Sequence, residues 1–402
     1  MRGLVGLRPG RAALGAALGA VLAVVVVLAA AGAAGATGGA AAAAPPGAPA
    51  AHLGAVPASG SIVVVRRSGG HDSLWSVDPV TAKATELVAL PFRPARVELS
   101  PGGRLLAFLS MAAVPKVVVY DTHTGTLHTW SLAARGVKVV DSLAWVSSTK
   151  LLVAGKPTHG FAFYPYTDRL YVLNAATGAS RRFGTLAGTE PTVTPSKALL
   201  VYVRFIAGGR VAKGSPVHWV VERLYRLKLA AGAKPHLIGS AKYPNAYDIR
   251  RFFEPRLARD GAYLITSTTG SDPTVRYIVR ASVTGKAVEK VDTMVGHTTA
   301  WSSLGDQVAF WGMPPVDEGS TTVLYVYHTA EKSLSHSSKL SNVAVTGLGW
   351  SSDDALLAYS LIGTGSADFA PDLSELWTLD PASLAAPTDL GAGGLPVFMP
   401  SK

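Results

Sequence analysis

The chain has 402 residues, of which 48% are hydrophobic and 16% charged, so it holds enough apolar material for one large repeat-built domain or two average ones. With no cysteine, disulfides, thiolate metal ligands, cysteine nucleophiles and cysteine-linked lipid are excluded together. The formal net charge of +11 points to anionic partners.

The first expected element is an apolar helix. The head "MRGLVGLRPGR" carries three arginines and no acid, and residues 12–36 then run 25 positions without a charge. A basic head, an apolar stretch and the small residues Ala34-Gly35-Ala36 make an export signal. The stretch also suits a hydrocarbon layer of about 30 Å. A cleaved signal peptide and a signal-anchor transmembrane helix are therefore both open over 1–36, with the head cytoplasmic and the remainder exported. Residues 37–60, almost entirely Ala, Gly, Pro and Ser, read as a linker. The folded part is expected over 61–402.

That part is repetitive. "LSPGGRLLAF" (99–108) recurs as "LAWVSSTKLLVA", "PTVTPSKALLVY", "RLARDGAYLIT", "AWSSLGDQVAF" and "GWSSDDALLAY". Aligned on the apolar run, the turns fall at 100, 146, 194, 258, 302 and 351, at intervals of 46, 48, 64, 44 and 49. Between them stand seven copies of a second pattern, such as "LWSVDPVTAKATEL" (74–87) and "VVVYDTHTGTLHTW" (117–130). Each is an alternating aromatic and β-branched strand, a polar turn and a further strand. The ends complete the count. "SIVVVRR" (61–67) is a second strand lacking a first, while "GLPVFMPSK" (394–402) is a first strand lacking a second.

Four short strands per 40 to 50 residues is the pattern of a propeller blade. The expectation is an all-β, seven-bladed β-propeller whose C-terminal strand closes the first blade, with six or eight blades as alternatives. The turns resemble the Ser-Pro-Asp-Gly repeats of TolB-type and WD-repeat-like propellers, through Gly102-Gly103, Arg259-Asp260-Gly261 and Ser352-Asp353-Asp354. The resemblance covers nearly all of 61–402 and implies the fold, not the activity. The separate N-terminal domain of TolB has no counterpart here.

The 64-residue interval holds an excess of base. Between Arg204 and Arg256 there are 11 Lys and Arg against three acids, interleaved with Trp219, Tyr225, Tyr243 and Tyr247. Arg223, Arg226, Lys228, Trp219, Arg250 and Arg251 are the candidate ligand-binding residues, forming a basic docking patch on the fourth blade. The alternative is a long loop with ordinary solvated charge.

Catalytic chemistry finds little support. There is no Gly-x-Ser-x-Gly elbow, and the ten histidines form no HxH or HxxxH pair. Glu98 and Glu254 are the acids expected along the channel, with Asp141 near one end. Trp145, Trp301 and Trp350 recur just before the turn and are expected to pack between blades. The acids Asp317, Glu318, Asp368 and Asp372 fall in loops joining second to third strands, opposite in sign to the fourth blade.

No cofactor or metal is expected. The expected function is an exported, non-enzymatic binding or scaffolding module of the cell envelope or exterior. Its partner would be an anionic envelope component or acidic protein, not nucleic acid, and it would act as a monomer. It would be tethered to the membrane if the N-terminal helix is uncleaved. The alternative is a propeller enzyme (lyase, lactonase or glycan-active) with its site at the channel mouth.

Overall fold

The computed structural model describes residues 52–401, except 111, 113, 158–167, 195, 197, 211, 214–217, 231, 245–251, 270–275, 286–287, 293–297, 313–320, 338–339, 342, 364–373 and 385–386. The expected N-terminal helix lies outside these residues. Among the described residues no helix is long and apolar enough to cross a membrane.

The strands form seven antiparallel sheets, one per repeat, and each meanders outward from an inner strand through a second and third to a fourth. Blade 1 is stitched from both ends of the chain. Its inner strand is Gly394–Phe398, and its other strands are Ile62–Ser68, His71–Val77 and Ala84–Ala89. Pairing of Ile62 with Phe398 and Val63 with Val397 is the closure expected from the broken repeat. Blades 2 to 7 follow in order, beginning with the inner strands Pro94–Leu99, Val139–Trp145, Thr189–Thr194, Phe253–Leu257, Thr299–Trp301 and Val343–Trp350.

In every blade except the sixth the inner pair carries a register shift, as between Pro94 and Arg96 or Phe253 and Arg256. Such bulges bend a strand and increase its twist, which lets neighbouring sheets splay around an axis.

The core is divided the same way. Seven clusters of buried apolar side chains each sit between two adjacent blades. Leu106, Phe108, Val118 and Tyr120 of blade 2 meet Val63, Val65 and Leu74 of blade 1, for example. Because a strand alternates its side chains, each central strand supplies both clefts. Val117 and Val119 face blade 3 while Val118 and Tyr120 face blade 1. This is why these strands read as continuous apolar runs.

The recurring turn has one chemistry. The backbone N–H of Gly103, Gly261, Gly305 and Asp354 donates to the carbonyl three residues earlier, at 2.9, 2.9, 3.0 and 3.1 Å. All four have positive φ, between 58° and 83°, which glycine adopts freely and aspartate tolerates. Where serine opens the turn, its Oγ accepts the N–H that starts the next strand, as in Leu105 to Ser100 and Leu356 to Ser351, both 2.9 Å.

The tryptophans before these turns latch blades 3, 6 and 7 each to the preceding one. The indole N–H of Trp145, Trp301 and Trp350 donates to the carbonyl of Glu98, Arg256 and Ala300, at 2.9, 3.0 and 3.0 Å. The expected linker is shorter than its composition suggested. Residues 52–55 are laid on blade 2, with His52 and Leu53 pairing Leu127 and Thr126. Gly54 approaches so closely that a Cβ there would stand 2.4 Å from the Leu87 carbonyl oxygen.

Candidate functional site

Two places on the ring concentrate polar chemistry. The first is the axis, where a cavity of about 600 Å³ is lined by residues from all seven inner strands and from the turns around Gly102, Ser303 and Ser352. A bulge beside Arg256 and the edgewise inner strand of blade 2 bring Arg256 and Glu98 together, with Nη1 to Oε1 at 2.7 Å. These residues are 158 positions apart and three blades apart, so the ion pair spans the axis. Both side chains remain partly exposed, at 29% and 22%. Glu98, expected as a channel acid, is therefore held by a guanidinium; the side chain of Glu254 lies outside the described ones.

Asp141 stands at the opposite end of its inner strand. It accepts from Lys156 Nζ at 2.7 Å and from Thr189 Oγ1 at 2.5 Å, tying blade 3 to blade 4. Among the described residues no group of three or more His, Asp or Glu could hold a metal ion.

The second place is blade 4. The long interval in the repeat is a long hairpin: Leu199–Arg210 pairs with His218–Lys228 in near-continuous register, and His236–Pro244 follows as the fourth strand. Second strands elsewhere have six or seven residues; this one has 12. At about 3.3 Å per residue the hairpin stands roughly 15–20 Å beyond its neighbours, on the face that carries the second-to-third-strand loops.

Its base is fixed in the clefts on either side. Tyr202 stacks on Tyr225 with ring centroids 5.6 Å apart, and burial pushes the Tyr202 hydroxyl up to about 12. On the other side the Glu222 carboxylate is fully buried and accepts the Phe252 N–H at 3.1 Å.

Strand alternation sorts the candidate basic residues into two groups. Trp219, Val221, Arg223 and Tyr225 point to the blade-3 side, whereas Glu222, Leu224 and Arg226 point to the blade-5 side. Arg204 is directly opposite Arg223, and Lys242 directly opposite Val221, so both join the first group. Lys242 Nζ lies 4.6 Å from the centroid of the Trp219 ring, a cation–π distance.

Arg223 Nη1 donates to Tyr225 Oη at 3.3 Å. Lys228 is at the far end of the strand, nine residues or about 30 Å from Trp219. Arg226 and Lys228 thus belong to a different surface, and Arg250 and Arg251 lie outside the described residues. Arg204 and Lys242 were not singled out by the sequence, though two-residue periodicity across a hairpin would have paired Arg204 with Arg223. The acidic loop residues Asp317, Glu318, Asp368 and Asp372 also lie outside the described residues.

With this geometry in hand, comparison with known proteins fixes the fold. No protein-family model matches the chain, and no curated protein matches it by sequence. Solved structures do. An oligogalacturonate lyase in complex with manganese superposes with a TM-score of 0.51 at 12% identity, over 83% of this chain and 86% of the other. The β-propeller domain of the Trilobed protease from Pyrococcus furiosus gives 0.50 at 14% identity, over 85% and 97%. The chain is a seven-bladed β-propeller.

The Pyrococcus domain is described as having an open velcro topology; in this propeller the C-terminal strand pairs with Ile62–Ser68 and closes the ring. TolB from Acinetobacter baumannii is also similar, with a TM-score of 0.47 at 12% identity over 85% and 82%.

Proposed function

We propose that this propeller works outside the cytoplasm as a non-catalytic binding or scaffolding module, engaging its partner through the face from which the blade-4 hairpin projects. The observation that carries this reading is the hairpin itself. It is the one large departure from the repeat among the described second strands, and it presents cations and an indole beyond the rim.

The axis supports the same reading. Arg256 and Glu98 neutralise each other across the cavity, which makes them a brace between blades 2 and 5. The likeness to the lyase is one of fold at 12% identity and transfers no chemistry. The basic head and apolar stretch of residues 1–36 support export, and the charge of the hairpin favours an anionic envelope component or acidic protein as partner.

Site-specific photocrosslinking in cells tests this with the full chain. A photoreactive residue at Lys213, on the projecting hairpin, is expected to capture a defined partner. The same residue at Val80, 86% exposed in a third-to-fourth-strand turn on the opposite face, is expected to capture none. Adducts from Val80 alone, or from neither position, refute the reading.

A further inference from the structure

We propose that the blade-3 side of the blade-4 hairpin is a membrane-surface dock that binds the headgroups of anionic phospholipids; this rests on the binding-module reading above. Arg204, Arg223 and Lys242 share that side of the three-stranded sheet, with Trp219 among them and Ile206 and Val221 between. Arg204 and Arg223 are directly opposed, an arrangement of like charges that costs stability within the hairpin. In the register of the hairpin neither has an acid opposite it, and Glu222 is turned into the blade-5 cleft. A dense anionic surface relieves that repulsion, and a single small anion engages only part of it.

The indole and the two half-buried aliphatic residues distinguish a lipid surface from a soluble polyanion. Tryptophan under a lysine ammonium offers an apolar body and a charged rim, the pairing suited to the headgroup boundary.

Vesicle co-sedimentation tests the proposal. The protein used lacks residues 1–36, which removes the apolar stretch and keeps every contact described above. It should bind vesicles of phosphatidylglycerol and phosphatidylcholine, bind phosphatidylcholine alone far more weakly, and release as salt rises. Arg204→Gln, Arg223→Gln and Lys242→Gln combined should weaken binding about 100-fold, since each cation near such a surface contributes about five-fold.

Arg226→Gln with Lys228→Gln, equal in kind but on the other surface, should leave binding unchanged. If the triple variant fails to fold by circular dichroism, the exposed single change Lys242→Glu serves in its place, and an unweakened Lys242→Glu overturns the proposal. Equal binding to neutral vesicles, or equal loss in the Arg226/Lys228 variant, also overturns it. Binding to long-chain polyphosphate without binding to vesicles overturns the lipid assignment and leaves the docking reading standing. Loss of the Lys213 crosslink is what removes that reading.

Discussion

Trp145, Trp301 and Trp350 combine an apolar ring with one directed hydrogen bond, and the two contributions can be separated by substitution. Trp350 is 8% exposed and donates to the Ala300 carbonyl of the preceding blade. Trp350→Phe keeps most of the packing and leaves that carbonyl without its donor, so urea denaturation should show a loss of about 1 kcal/mol. Trp350→Ala also opens a cavity and should cost about 3–5 kcal/mol. No loss in Trp350→Phe would show that packing alone holds the joint, and equal losses in the two variants would show that the hydrogen bond does.

Tyrosine gives a second handle. Burial raises Tyr120, Tyr202 and Tyr359 to about 12, against about 10 in an unfolded chain. A raised folded value means that the stabilisation is full below about pH 10 and is lost as pH climbs through about 12. Thermal melts should therefore fall steeply over that interval, with tyrosinate absorbance rising as the fold opens. Tyr202→Phe should flatten the decline; tyrosinate absorbance preceding unfolding would show these hydroxyls to be solvated.

At the scale of single elements, the inner strand of blade 1 is the one with the largest reach. It pairs with Ile62–Ser68 and packs on blade 7, and Phe398 and Met399 are both buried. A chain ending at Gly394 loses those contacts, worth several kcal/mol at about 1.5–3 kcal/mol per buried large apolar side chain. It also exposes the edge of Ile62–Ser68. Its melting temperature should drop well below that of the full chain, and unchanged melting would mean that blade 1 is dispensable for closure.

The blade-4 hairpin shows where sequence reading stops. The interval of 64 residues announced extra material, and its charge was countable. Its form was not legible, because a charge tally ignores side-chain direction. Neighbours such as Arg223 and Arg226 point to opposite sides of the sheet, while Arg204 and Arg223, 19 positions apart, share one.

The whole ring was legible for a physical reason: four of the blades repeat the same solution to turning a strand back on itself. The residue with positive φ and the serine that caps the next strand recur, so the periodicity is written in Gly103, Gly261, Gly305 and Asp354. The cross-axis pair was hidden because contacts such as Glu98 to Arg256, 158 residues apart, follow from closure and leave no local pattern. The proposal of export is tested at the same scale. Mass spectrometry of the processed protein should find a new N-terminus between Gly32 and Pro45 if the signal is cleaved, while an intact Arg2 in the membrane fraction would establish the anchored form.

The stitching of blade 1 also imposes an order in time. A chain made from its N-terminus has Ile62–Ser68 early and receives its partner only when Gly394–Phe398 is complete; Ser59 and Pro400, hydrogen-bonded at 3.0 Å, are 341 residues apart. Ring closure is thus the latest event of folding and one of high contact order, which slows it. Until then the nascent molecule is an open arc with a sticky strand at one end, the form in which chaperones and proteases meet it. A chain that stops after blade 7, at Ala392, carries nearly the whole mass of the protein and none of its closure, so a finished ring and an unfinished one differ by a single strand.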